Sequence, residues 1–159
     1  MVLPYSKTYP WNDNLPTAFA NKILAPYVDQ FKDYTPKIHT IREGDRWKAG
    51  NSIQMAYGVR TKDYFQFNYE VKETQVCKST QRIIINPNLQ RAKTESIGLN
   101  NLLGTFIPFP DICIDGRLLQ QDEILKFITN DGFDSMLSFM FWFNKPFSGQ
   151  LIHWTDLKY

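Results

Sequence analysis

The sequence has few of the residues that metal sites and disulfide frameworks require, with two cysteines and two histidines among 159 residues. A tetrahedral zinc site would need all four of these side chains, and Cys77 and Cys113 show no repeated spacing. We therefore expect no structural metal, no disulfide framework and no cofactor. The sequence signatures of glycine-rich phosphate loops, zinc proteases and serine nucleophile elbows are also absent. Any chemistry must come from ordinary polar side chains.

The chain also lacks a large excess of one charge, because 18 basic residues face 16 acidic ones for a net charge of +2. Dedicated duplex-DNA binders usually carry a stronger basic bias, although a small basic pocket fits this charge. Long apolar runs are missing too, and the most apolar window, residues 136–143, is too short to span a bilayer. The first residues do not have the pattern of a signal peptide. We expect a cytoplasmic protein with no membrane partner.

Aromatic residues are abundant, at 15% of the chain, and they favour β-strands. The length suits one domain over residues 1–159, and no internal repeat or linker interrupts it. The predicted elements are an irregular arm over residues 1–16, a helix at 20–33, strands at 37–42, 52–59, 64–71 and 82–85, a loop at 88–110, a hairpin at 112–118, helices at 121–129 and 135–143, and a strand at 150–159. This order predicts an α+β fold, a small β-barrel decorated by helices.

Short local signals fix several element boundaries. Asp115-Gly116 suits the positive φ angles of a type I′ hairpin turn. Gly132 fits the left-handed position at the end of a helix, and Asp134 or Ser135 can cap the next helix. Pro26 is tolerated only in the first turn of a helix, so the first helix is expected to begin near it.

Residues 37–42, Lys-Ile-His-Thr-Ile-Arg, form the most informative segment. Side chains alternate along a strand, so Lys37 would point away from Thr40 and Arg42 unless a bend at the start brings it round. Arg42 could then clamp a carbonyl, carboxylate or phosphate group. Lys37, with its pKa lowered by burial or a second cation, could take the proton of Thr40 and activate it as a nucleophile. The alternative is a strand edge with solvated cations.

Two aromatic features also have two interpretations each. Trp47 lies between Arg46 and Lys48, which suits stacking on single-stranded nucleic acid or a flipped base. A turn-anchoring, buried tryptophan is the alternative. The apolar helix at residues 136–143 carries more bulky side chains than one core face can cover, so a third hypothesis is an interaction protein that uses this helix.

The pattern of residues 37–42, followed by residues 46–51 and a strand, resembles the ASCH family of the PUA-like superfamily. That family combines a Lys, a Thr-x-Arg and a turn of the form Lys-x-Gly-Asp before a strand. Asn51 stands here where the family usually has Asp. The closing helix and strand are similar as well, so the resemblance covers residues 37–59 and 122–159.

The resemblance implies a pseudo-barrel fold with a cleft beside the Lys-Thr-Arg strand. Members are linked to RNA or nucleotide binding, and one branch hydrolyses acylated cytidine nucleosides with a Lys base, a Thr nucleophile and a Glu acid. Lys37 and Thr40 match that branch by position. The Glu falls near Asp131, which has a shorter side chain and an alternative role in ending a helix before Gly132.

The predicted function is therefore binding of RNA or a modified nucleotide in a basic cleft around Lys37, Thr40 and Arg42, with residues 46–48 adding contacts. The alternative is an amidohydrolase that deacylates N4-acylated cytidine-type nucleosides. In that case Thr40 is the nucleophile, Lys37 is the base and Asp131 is the candidate acid.

Overall fold

The computed structural model describes residues 1–88 and 109–159, so the predicted loop at 88–110 lies almost wholly outside the described residues. Within the described ranges the chain forms strands and three α-helices. In chain order they are β1 (Val2–Pro4), β2 (Thr8–Tyr9), β3 (Asn12–Pro16), α1 (Phe19–Leu24), β4 (His39–Glu43), β5 (Gln54–Tyr57), β6 (Phe65–Gln66), β7 (Ser79–Asn86), β8 (Asp111–Ile114), β9 (Arg117–Leu118), α2 (Gln121–Asn130), α3 (Met136–Trp142) and β10 (Phe147–His153).

The largest sheet has five antiparallel strands in the order β4-β10-β7-β8-β9. In β7 the side chains alternate, with Ile83 and Ile85 buried and Arg82 and Ile84 exposed, because one face of the strand packs on the core. The hairpin β8-β9 turns at Asp115 and Gly116, whose φ angles of 49° and 86° confirm the predicted turn.

The N-terminal residues are ordered in strands, so the prediction of an irregular arm over residues 1–16 was wrong. Strand β1 pairs in parallel with β5, and β2 pairs with β3 in a small hairpin. The partner of β1 lies about fifty residues along the chain, so no local pattern could reveal the pairing. The predicted strand at 64–71 was too long: it is reduced to β6, and Tyr69 is 77% exposed because it has no sheet to pack on.

The first helix ends at Leu24, well before the predicted residue 33. The helix thus lies before Pro26, and the expectation that it begins near this proline was wrong. Pro26 has no N–H to donate, so after Ala25 the chain continues as turns with a short 3-10 helix at Asp29–Phe31. The predicted cap of α3 is confirmed, because the Ser135 hydroxyl accepts a hydrogen bond from the N–H of Ser138 at 3.1 Å.

The end of α2 is a Schellman motif, as Gly132 predicted. Gly132 has a φ of 86° and donates its N–H to the Thr129 carbonyl at 2.8 Å, and Phe133 donates to the Ile128 carbonyl at 3.1 Å. This tight turn places Asp131 directly after the helix, on the side facing the start of β4.

One continuous hydrophobic core joins the two larger sheets and the three helices, with members such as Leu3, Ile23, Ile83, Phe127 and Phe139. The α+β class is confirmed. The predicted barrel is not seen among residues 1–88 and 109–159, because their strands form separate sheets of five, three and two strands rather than a closed ring. None of the helices in these ranges has the length and apolar character needed to cross a membrane.

Candidate functional site

Lys37 lies two residues before β4 and is held there by backbone hydrogen bonds. Its N–H donates to the Lys22 carbonyl of α1 at 3.0 Å, and the N–H of Ile38 donates to the Asn130 carbonyl at the end of α2 at 2.9 Å. The strand therefore starts only at His39, and Lys37 lies outside the regular alternation of its side chains. The structure brings Lys37, Thr40 and Arg42 to the wall of one cavity.

Asp131 lies in the same cavity wall and forms a buried ion pair with Lys37. The Lys37 Nζ lies 2.6 Å from the Asp131 Oδ1, and it also donates to the Asp131 carbonyl oxygen. The two side chains are only 2% and 4% exposed. The Phe19 ring covers the ammonium group at 4.9 Å.

Burial changes the proton affinity of both members of this pair. It lowers the pKa of Lys37 to about 8, and Asp131 offsets part of that change while Arg42 and Lys22 add to it. Burial likewise raises the pKa of Asp131, against the opposing effect of Lys37. A lysine with this pKa carries a useful neutral fraction near physiological pH, which is a property of a general base.

Thr40 and Arg42 are joined by a hydrogen bond within β4. The Arg42 Nη1 donates to the Thr40 Oγ at 3.0 Å and to the Ile41 carbonyl at 2.7 Å, and Nη2 donates to the Pro4 carbonyl at 2.6 Å. The guanidinium group is thus fixed by two backbone carbonyls beside a buried hydroxyl. Such a fixed cation can stabilise negative charge that develops near Thr40.

Tyr5 and Lys22 complete the surroundings, and the sequence analysis did not identify either. Tyr5 lines the cavity, and its ring packs against the Arg42 guanidinium at 4.9 Å. The buried Lys22 Nζ donates to the Gly132 carbonyl at 2.8 Å and to the Asp134 Oδ1 at 2.7 Å. Both residues belong to segments whose partners are remote in sequence, and neither carries a local motif.

The cavity has a volume of about 60 Å³. That is far below the roughly 300 Å³ at which pockets for drug-sized ligands begin, so it admits a functional group rather than a whole nucleoside. Its wall combines cations, a carboxylate, hydroxyls and aromatic rings, contributed by Tyr5, Phe19, Lys37, Thr40, Arg42, Asp131, Phe133 and Trp142.

The turn at residues 46–48 lies elsewhere, and the prediction of Trp47 as a stacking surface was wrong. Trp47 is 1% exposed, and its backbone exchanges hydrogen bonds of 2.9 and 3.0 Å with the Gln150 amide. Its ring is part of the core, and Arg46 and Lys48 are exposed but do not line the cavity. Asn51 accepts a hydrogen bond from the Lys48 N–H at 2.8 Å, as the oxygen of an aspartate could.

His39 is a buried residue that packs next to the site. Its ring stacks on Phe127 at 5.0 Å, and its Nδ1 lies 3.3 Å from the Tyr159 hydroxyl. Burial lowers the pKa of His39 well below its ordinary value, so the imidazole stays neutral. This is the packing role that a lone histidine usually has.

In the described part of the chain no three His, Cys, Asp or Glu side chains are grouped so that they could hold a metal ion. No family model, curated protein or solved structure matches the sequence or the fold. The case for a function therefore rests on the geometry around Lys37, Thr40, Arg42 and Asp131.

Proposed function

We propose that the protein is an ASCH-like amidohydrolase that removes the acyl group from N4-acylated cytidine-type nucleosides, with Thr40 as nucleophile and Lys37 as base. The observation that carries this proposal is the buried Lys37–Asp131 pair in the same cavity wall as Thr40. Burying the pair is costly, and it gives Lys37 a pKa suited to proton transfer.

In the first step the neutral Lys37 amine takes the Thr40 hydroxyl proton while the Thr40 Oγ bonds to the acyl carbon. The carbonyl electron pair moves onto oxygen, and the Arg42 guanidinium beside Thr40 stabilises the resulting oxyanion. When the carbonyl re-forms, the bond between carbon and nitrogen breaks. The amine of the nucleoside leaves with the proton from the Lys37 ammonium, and the acyl group stays on Thr40 as an ester.

In the second step a water molecule attacks the ester carbon and gives one proton to Lys37. Collapse of this intermediate breaks the ester bond, the proton returns to the Thr40 oxygen, and a carboxylic acid leaves. Asp131 holds the Lys37 nitrogen in place through both steps and stabilises its ammonium form. In this scheme Lys37 carries the proton to the leaving amine, so the short side chain of Asp131 does not have to reach the substrate.

The substrate class rests on the resemblance of residues 37–42 to the ASCH pattern, and the cavity supports part of it. A volume of about 60 Å³ suits the acyl carbonyl group, with the base and the sugar outside. Because Trp47 is buried in the core, it cannot stack on that base.

A second candidate is recognition of RNA or a nucleotide without chemistry. It is favoured by the contact of 2.6 Å between the Lys37 Nζ and the Asp131 carboxylate, because this contact stabilises the protonated form of Lys37, which is not a base. In this case Arg42 would supply the contact to a phosphate or carbonyl group. The modest net charge and the loss of Trp47 as a stacking ring weaken this candidate.

The test is turnover of a panel of N4-acylated cytidines, followed by mass spectrometry, with the variants Thr40→Val and Thr40→Ser. Wild type and Thr40→Ser should release the free base amine, because both keep a hydroxyl, and Thr40→Val should not. Full activity in Thr40→Val would rule out Thr40 as the nucleophile. If the wild type turns over no substrate but binds cytidine nucleotides in calorimetry, the second candidate replaces the first.

A further inference from the structure

We propose that the Tyr5 hydroxyl donates a hydrogen bond to the carbonyl oxygen of the acyl group in the cavity, an inference that rests on the proposed hydrolase function. Tyr5 would then act together with Arg42 on the same oxygen. The role is that of a transition-state donor, because the hydrogen bond strengthens as negative charge collects on the oxygen.

The first observation is that the buried Tyr5 hydroxyl has no hydrogen-bond partner among the described residues. Tyr5 is 7% exposed, and its hydroxyl oxygen makes no hydrogen bond to any described residue. Buried hydroxyl groups are normally hydrogen-bonded, because leaving one unpaired costs folding free energy. A phenylalanine would fill the same space without that cost, so packing alone does not explain a tyrosine in this cavity wall.

The second observation is the position of the hydroxyl relative to the reacting groups. Tyr5 lines the same cavity as Thr40 and Lys37. The Arg42 guanidinium, which donates to the Thr40 Oγ, lies over the Tyr5 ring at 4.9 Å. Attack by the Thr40 oxygen would therefore place the developing oxyanion close to both Tyr5 and Arg42.

Arg42 leaves room for a second donor because its own hydrogen bonds are largely committed. Its Nη1 donates to the Thr40 Oγ and the Ile41 carbonyl, and its Nη2 donates to the Pro4 carbonyl. These two nitrogens therefore have little hydrogen-bonding capacity left for the oxyanion. The Arg42 Nε also makes no hydrogen bond to a described residue, so the Tyr5 hydroxyl would be one of two donors available to that oxygen.

The protonation state and the support of Tyr5 both fit a donor. Burial raises the pKa of Tyr5, so the hydroxyl keeps its proton and cannot compete with Lys37 as a base. The Tyr5 N–H donates to the Ala56 carbonyl at 2.9 Å, which continues the pairing of β1 with β5. The ring also contacts Phe67 edge to face at 5.5 Å. The ring that carries the hydroxyl is thus held in place before substrate binds, as an effective oxyanion donor requires.

The experiment compares Tyr5→Phe with wild type in kcat and KM for an N4-acylated cytidine, and in urea unfolding. Loss of one oxyanion donor should lower kcat by about 100-fold, with little change in KM. The unfolding midpoint should stay the same or rise, because an unpaired buried hydroxyl has been removed.

Tyr9→Phe is the matched control. Tyr9 is 2% exposed and its hydroxyl also makes no hydrogen bond to a described residue, but Tyr9 does not line the cavity. Its kcat should equal that of the wild type. If Tyr5→Phe keeps the wild-type kcat, or if both variants lose kcat equally, the role assigned to Tyr5 is wrong. Neither outcome contradicts the proposed hydrolase function. A wild type without turnover would overturn the proposed function and this inference with it.

Discussion

Replacing Asp131 by Asn should destabilise the fold severely, because the Lys37 ammonium group would lose its countercharge and could stay buried only by giving up its proton. The two side chains are 2% and 4% exposed and their charged atoms lie 2.6 Å apart. Removing one partner of a buried pair typically costs about 3–5 kcal/mol. A domain of this size is stable by roughly 5–15 kcal/mol, so this substitution would remove a large part of the total.

A double-mutant cycle isolates the pair from the other consequences of each substitution. We would measure the free energy of unfolding in urea for wild type, Lys37→Met, Asp131→Asn and the double variant. The double variant contains no buried charge at this place, so its loss should be smaller than the sum of the single losses by about 2–3 kcal/mol. Additive losses, within about 0.5 kcal/mol, would refute the claim that the pair is buried and coupled.

The exposed pair Lys78–Asp156 provides the control for this cycle. Its Nζ–Oδ2 distance is 3.0 Å, and the side chains are 45% and 91% exposed. A solvated pair contributes at most about 1 kcal/mol, so Lys78→Met and Asp156→Asn should show little coupling. Equal coupling in the two cycles would mean that burial is not what makes the Lys37–Asp131 pair strong.

The pKa of Lys37 is lowered to about 8, so turnover should increase as the pH rises through that value. Between pH 8 and about 10.5 the unfolded chain binds more protons at Lys37 than the folded chain does. The free energy of unfolding should therefore increase with pH over this range in the wild type, and Lys37→Met should lack this increase. Gly132→Ala should cost about 1–3 kcal/mol in urea unfolding, because φ is +86° and the new Cβ would lie 2.9 Å from the Lys37 Cδ. Ser135→Ala should lower stability by about 1 kcal/mol in the same assay through the lost helix cap. Arg42→Ala should reduce kcat/KM, whereas Arg46→Ala, which removes an exposed cation away from the cavity, should not.

Features that depend on a few neighbouring residues could be predicted from the sequence. The turn at Asp115-Gly116, the end of α2 at Gly132 and the cap of α3 at Ser135 all rest on local backbone preferences. Tertiary contacts then refine these features without having to create them. The position of Lys37 is different, because backbone hydrogen bonds to the Lys22 and Asn130 carbonyls hold it, and the sequence could give its approach to the Thr40 side only as a condition.

Features that depend on distant partners could not be predicted in this way. The polar and proline-containing arm over residues 1–16 has no local pattern for a strand, yet β1 gains its hydrogen bonds from β5. Tyr5 enters the site only through that pairing. Trp47 illustrates the opposite error: its cationic neighbours suggested an exposed ring, but Gln150, more than one hundred residues away, binds its backbone and the ring is buried.

The turn after α2 connects these observations, because two buried lysines donate hydrogen bonds to it. Lys37 binds the Asp131 carboxylate and carbonyl, and Lys22 binds the Gly132 carbonyl and the Asp134 carboxylate. The Schellman motif alone would end the helix, so the fold does not need a charged pair at Asp131. Well-packed apolar residues would often be at least as stable there. A charged pair at that cost, in the same cavity wall as a buried threonine and a fixed arginine, therefore supports the proposed proton transfer.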